Sequence, residues 1–192
     1  MVKLTGYKKV KTAVFISGTG SNLKSLIKFS KTKKSPISIN LIISDNLKAK
    51  GLKLGKINKI KKKAFNFKKK NKIESQILSV LKEHEIKIIC LAGFMKILSK
   101  NFIAKFMGKI LNIHPSLLPK YKGLNTHQRA IENKDKFSGC TVHYVSSKLD
   151  SGKIILQKKV KILKNDTANT LAKKILKQEH RIYIKAINKI II

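Results

Sequence analysis

Hydrophobic and polar positions change their period several times along this chain, and each change marks an element. Residues 12–17 are a β-branched and apolar run that ends in Gly18-Thr19-Gly20. Over residues 21–31, Leu23, Leu26 and Ile27 fall on one helical face. Residues 37–44 read as a second strand, followed by a helix around residues 48–57 and a weak third strand over residues 64–67. Ile73, Ile77, Leu78 and Leu81 form a helical stripe within residues 72–85, and residues 86–92 are an apolar strand leading into Gly93. Strands alternating with helices predict a parallel, doubly wound sheet with right-handed crossovers and helices on both faces. The second half is less regular. It predicts strands at 110–113, 141–145 and 153–162, a helix at 126–133, and a long last helix capped at Asn165-Asp166-Thr167.

This pattern suits a single domain over residues 1–192, with residues 1–11 as a basic N-terminal extension. No apolar run reaches the roughly 18–20 residues that span a bilayer, and the N-terminus lacks the apolar stretch of a secretory signal. The expected location is the cytoplasm, without membrane partners. Cys90 and Cys140, the two cysteines, both lie in apolar strand-like runs and read as buried thiols. His84, His127, His143 and His180 have no metal-like spacing, so no metal is expected, and His143, alternating along a strand, reads as structural.

Charge changes the picture least, although it is the most conspicuous feature. The net charge of +35 suggests a nucleic-acid binder, yet Arg129 and Arg181 are the sole arginines and lysine is spread along the whole chain. Base and phosphate recognition favours the forked guanidinium. Abundant Lys, Ile and Asn, all with AT-rich codons, point to genome composition instead. Non-specific, salt-sensitive binding to RNA is expected as a side effect, and no specific nucleic-acid partner.

Three loops carry candidate chemistry. In Ser17-Gly18-Thr19-Gly20-Ser21-Asn22-Leu23, glycines allow close backbone approach and the helix start offers free N–H groups, so Gly20, Ser21 and Asn22 could cradle an anion. A tight turn capped by Ser21 explains the same residues. Leu23 occupies the third glycine position of a dinucleotide fingerprint and no Walker lysine follows, which favours a single terminal phosphate. In Asn112-Ile113-His114-Pro115-Ser116, positions 112 and 114 share a face of an extended segment. That pairs an amide able to bind a developing oxyanion with an imidazole able to move a proton. A lone histidine is more often structural; the neighbouring amide and the flanking prolines favour function here. Asp150 lies in the turn Leu149-Asp150-Ser151-Gly152, where an aspartate ordinarily bonds its own backbone but could also reach His114.

Taken together, SGTGSNL (17–23), LAGFMKILS (91–99), LNIHPSLLPKYKG (111–123), GCTVHYV (139–145), LDSG (149–152) and QEHRIY (178–183) resemble the phosphoribosylglycinamide formyltransferases, in family order and over almost the whole chain. The resemblance implies a Rossmann-like formyltransferase fold. It also implies transfer of a formyl group from the co-substrate 10-formyltetrahydrofolate to the amine of 5′-phosphoribosylglycinamide in purine synthesis, by a monomer or homodimer. It casts Asn112 as the group steadying the formyl oxygen, His114 as acid and proton carrier, and Asp150 as the carboxylate that favours the protonated imidazole and organises water. Gly20, Ser21 and Asn22 hold the phosphate and Glu179 the ribose side. Met95, Lys96, Ile97, Leu98, Ser146, Ser147, Lys148, Leu149, Asp150 and Asn112 line the folate pocket, with Lys70 as a loosely aligned basic contact.

Three departures stand out. Lys122 replaces a usual proline and is expected to loosen its loop, Ile184 replaces another, and family members often extend past the position of Ile192. Formyltransferases acting on initiator methionyl-tRNA resemble the chain at Asn112, His114 and Asp150 but normally add a C-terminal nucleic-acid-binding domain, which is not expected here. Formyltetrahydrofolate hydrolases share the three residues and typically add an N-terminal regulatory domain. A non-enzymatic RNA-binding module would leave the loops unexplained, and with 6% aromatics offers few stacking platforms.

Overall fold

A computed structural model describes residues 8–191. Its strands are β1 (Val10–Ile16), β2 (Ile37–Ser44), β3 (Lys61–Ala64), β4 (Ile88–Leu91), β5 (Lys109–His114), β6 (Phe137–Tyr144) and β7 (Ile154–Lys161). The helices are α1 (Ser21–Ser30), α2 (Leu52–Ile57), α3 (Lys70–Glu83), α4 (Lys100–Lys105), α5 (Thr126–Glu132) and α6 (Ala168–Ile191). Together they make one mixed, mostly parallel sheet in the order β3-β2-β1-β4-β5-β6-β7, parallel through β5 and antiparallel beyond it. Val10 and Lys11, assigned from sequence to the basic extension, already pair with β2; residues 1–7 of that extension lie outside the described residues.

The alternation inside β1 explains the layers. Val14 and Ile16 face one core with α1 and α6, while Ala13 and Phe15 face a second core with α3 and α4. Because both faces are covered, all four side chains are fully buried, and the strand reads as continuous apolar sequence. Tyr183 of α6 is also buried, and its hydroxyl donates to the carbonyls of Leu91 (3.0 Å) and Leu111 (3.2 Å), clamping the helix to β4 and β5. Ile184 lies inside α6, where a proline would interrupt the hydrogen-bond ladder. Cys90 and Cys140 are free and buried, and desolvation raises each thiol to about 12.

Two elements differ from the sequence expectation. The third strand is the exposed lysine run Lys61–Ala64 rather than residues 64–67. It pairs with β2 at the sheet edge, where exposed lysines discourage a further strand from adding. Phe65 and Phe67 instead turn in against the second core, with Phe67 edge-on to Phe94. Helix α4 has no counterpart in the sequence reading. It is a six-residue helix burying only Phe102, too short to show a period, although Ser99 caps it by accepting from the Phe102 N–H (3.0 Å). Among the described residues no helix is long and apolar enough to cross a membrane.

Candidate active site

The chain leaves β1 toward β2 on one side of the sheet and returns through β4 toward β5 on the other, so a crevice opens past the carboxyl ends of β1 and β4. A cavity of about 910 Å³ occupies it. Its walls are the turn after β1 (residues 18–22), the loop after β4 (91–98), the end of β5 (112–115), the 123–127 segment, the turn before β7 and one face of α6.

One wall is the start of α1. Gly20 is its N-cap at φ 77°, a left-handed conformation that favours glycine, and a Cβ there would meet the Gly51 backbone at 3.0 Å. Among the described residues no side chain caps this helix, so Ser21 is not the cap; the first N–H groups and the helix dipole remain for an anion. Ser17 fastens the turn to the neighbouring loop, its N–H donating to Gly93 O (3.0 Å) and its Oγ accepting from Met95 N–H (2.8 Å).

Asn22 donates to Glu179 Oε2 (2.7 Å), so a residue of α1 and one of α6 meet at the cavity wall. Burial raises the Glu179 carboxyl above the ordinary range, and the Asn22 bond opposes that shift. Its folded-state pKa therefore exceeds its unfolded one. The folded state binds the proton more strongly, and stability falls as pH rises from the unfolded value of about 4.3 through the raised one. Glu179→Gln keeps an acceptor for Asn22 and carries no charge to bury. We expect it to melt higher than wild type near pH 7 and the two to converge near pH 4; parallel melting curves across that range would remove this assignment.

Elsewhere on the cavity wall three predicted residues converge. Asn112 and His114, both on β5, face the same way, and Asp150 reaches them from the turn before β7. Asp150 Oδ2 is 3.4 Å from His114 Nδ1 and accepts from Gly123 N–H (2.9 Å), while its Oδ1 lies 3.5 Å from Asn112 Nδ2. Asp150 therefore spends its carboxylate on distant partners rather than on its own turn. It does so from a left-handed φ of 45°, a conformation a non-glycine residue adopts at some cost. His114 Nε2 is 2.8 Å from the Tyr121 carbonyl, which can only accept, so Nε2 carries a hydrogen and Nδ1 is the nitrogen turned to Asp150.

His143, read from sequence as structural, belongs to this group. It sits directly across from Asn112 in the β5–β6 register, lines the cavity, and lies 3.7 Å from Asp150 Oδ1. Its Nδ1 donates to Tyr144 O (2.8 Å), which leaves Nε2 as an acceptor for Asn112 Nδ2 (3.2 Å). Burial lowers its pKa, against the smaller raising effects of the Tyr144 bond and Asp150, which suits this neutral acceptor role. A signal was present: Thr141 and His143 alternate, as do Asn112 and His114, and antiparallel pairing of the two strands puts all four on one face.

Met95, Lys96, Ile97, Leu98, Ser146, Lys148 and Leu149 line the cavity, whereas Ser147 and Lys70 do not. Met95 and Ile97 are 61% and 60% exposed, apolar surface at the mouth that a ligand would cover. Lys122 ties its loop down rather than loosening it, because its ammonium donates to Ser151 Oγ (2.6 Å) beside Asp150. Among the described residues no cluster of three or more His, Cys, Asp or Glu could hold a metal ion.

Known proteins similar to this chain share one family. Residues 10–187 match the family model described as formyl transferase. The chain is 43% identical over 176 residues to the phosphoribosylglycinamide formyltransferase of Haemophilus influenzae, covering 90% of this chain and 83% of that one. It is 44% identical to part of the human trifunctional purine biosynthetic protein adenosine-3, covering 94% of this chain but only 18% of the length of that relative. The crystal structure of phosphoribosylglycinamide formyltransferase from Brucella melitensis superimposes with a TM-score of 0.91 at 44% identity, over 96% of both chains. With the family match, the sequence identity and the superposition each covering nearly its full length, the chain belongs to the phosphoribosylglycinamide formyltransferase family.

Proposed function

We propose that this protein transfers the formyl group of 10-formyltetrahydrofolate to the amine of 5′-phosphoribosylglycinamide, in purine synthesis and in the cytoplasm. The observation that carries the proposal is that one cavity is lined both by an open helix start at Gly20–Asn22 and by the Asn112–His114–Asp150 group. A phosphate held at the helix start directs the amine of the same molecule toward the Asn112–His114–Asp150 group.

In this reading the amine nitrogen attacks the formyl carbon, a C–N bond forms, and the carbonyl electron pair moves onto oxygen. Asn112 meets that oxyanion with the Nδ2 hydrogen that makes only the long 3.5 Å approach to Asp150, while His143 holds the other hydrogen. Collapse breaks the bond from the same carbon to N10 of the folate, and the proton lost by the amine ends on N10. His114 carries that proton through Nδ1, its Nε2 being tied to Tyr121, and Asp150 stabilises the imidazolium formed on the way. Glu179 faces the ribose. Met95, Lys96, Ile97, Leu98, Ser146, Lys148 and Leu149 receive the folate, with Ser147 and Lys70 added on resemblance alone.

Purified protein given 10-formyltetrahydrofolate and glycinamide ribonucleotide should yield formylated ribonucleotide, with no comparable turnover on water alone or methionyl-tRNA. A folded protein that formylates only the tRNA, or only hydrolyses the folate, would overturn the assignment.

A further inference from the structure

We propose that Tyr121 and Asp135 act as a positioning pair that sets the orientation of the His114 ring. The inference rests on the proton-carrying role given to His114 above. Among the described residues that ring has one hydrogen-bonded anchor, the Tyr121 carbonyl at 2.8 Å from Nε2. The carbonyl points there because Tyr121 adopts φ 55°, a left-handed conformation that costs a bulky residue energy and persists only when its surroundings hold it.

Several contacts hold it. The Tyr121 hydroxyl donates to Asp135 Oδ2 (2.8 Å), and Asp135 Oδ1 accepts from Lys120 Nζ (2.6 Å). The guanidinium of Arg129, on α5, lies 4.9 Å from the Tyr121 ring centroid. Ser116 Oγ donates to the Lys120 carbonyl (2.6 Å), pinning the same turn from the β5 side. Asp135 itself is anchored past the end of α5, its N–H donating to Ala130 O (3.0 Å). The path therefore runs from a carboxylate on the α5–β6 connection, through a tyrosine hydroxyl and a strained peptide, to the imidazole. None of the steps before the imidazole touches the substrate cavity. Loss of the hydroxyl bond lets the turn relax toward an unstrained φ, which withdraws the carbonyl and frees the ring to rotate.

The test uses Tyr121→Phe, which keeps the ring under Arg129, together with Asp135→Ala and Asp135→Asn. Expected are a roughly tenfold fall in kcat for Tyr121→Phe and for Asp135→Ala with KM within about twofold, as small misplacements of a reacting group produce. The double variant should be no slower than either single one, because both remove one bond. Asp135→Asn keeps an oxygen acceptor and should restore most of the activity. Independently of turnover, nitrogen-15 imidazole shifts in substrate-free protein should show His114 held as the Nε2–H form in wild type and averaged between tautomers in Tyr121→Phe. That readout stands whichever formyl acceptor proves correct, so failure of the functional assignment and failure of this one remain distinct. Unchanged kcat and imidazole shifts in folded Tyr121→Phe, or multiplicative losses in the double variant, would overturn the proposal; if Asp135→Ala does not fold, Tyr121→Phe alone decides.

Discussion

Asp150→Asn is expected to lower kcat about a hundredfold or more while leaving KM for both substrates within a few-fold. The substitution is nearly isosteric. An asparagine Oδ1 can still accept the Gly123 N–H now bound at 2.9 Å, so the 123 segment and the turn should keep their places. The charge opposite His114 Nδ1 is lost, together with the lone pairs that face Asn112 Nδ2. The carboxylate is 8% exposed, so solvent cannot replace it. An imidazolium formed while the proton is in transit then sits unpaired in a closed site, a cost that falls on the transition state rather than on substrate binding. His114→Ala should lose a similar factor, and the double variant should be little worse than His114→Ala alone, since the two side chains act as one unit. Steady-state kinetics on all three proteins check this. A folded Asp150→Asn with near-normal turnover would show that the charge has no part in the reaction.

Gly152→Ala should be nearly as damaging, though it adds only a methyl group outside the cavity. A Cβ at Gly152 would lie 1.7 Å from the Tyr144 carbonyl oxygen and 2.8 Å from its carbon. These are backbone atoms at the point where Tyr144 N–H bonds Lys153 O (3.0 Å) to close the β6–β7 connection. They cannot yield as a flexible side chain would, so the turn must move, and Asp150 rides on it two residues away. Overpacking of this kind costs about 1–3 kcal/mol of stability. A displacement of Asp150 by about 1 Å costs on the order of a hundredfold in rate. Melting curves and kcat of Gly152→Ala test both. Gly18→Ala is the melting control, because nothing lies within 4 Å of its Cβ. Wild-type melting and turnover in Gly152→Ala would mean the turn has slack that the geometry does not suggest.

The parallel half of the fold was legible because burial on both faces forces continuous apolar strands, and because amphipathic helices separate them. Strand β3 was not. Lys61, Lys62 and Lys63 carry the polarity of a loop, and only pairing with Leu41, Ile42 and Ile43 makes them a strand. In the site, Asn112 and His114 could be paired from spacing alone, since both lie on one strand. Asp150 needed a fold, because 36 residues of chain separate it from His114. His143 was missed for a related reason: a single buried strand histidine has no local mark, and its role appears only once β6 is set antiparallel to β5. The backbone groups of Tyr121 and Gly123 left no trace in residue type at all.

Tyr183 and Glu179 also set an order of events during synthesis. Both belong to α6, whose Leu171, Ile175, Ile182, Tyr183, Ala186 and Ile187 complete the first core. A nascent chain whose α6 is still inside the ribosome lacks these residues. Until the helix emerges, Asn22 has no carboxylate partner and the ends of β4 and β5 have no tyrosine clamp. The cavity gains its α6 wall only once that helix has been made, so a ribosome stalled before α6 would carry the Asn112–His114 strand without a complete site.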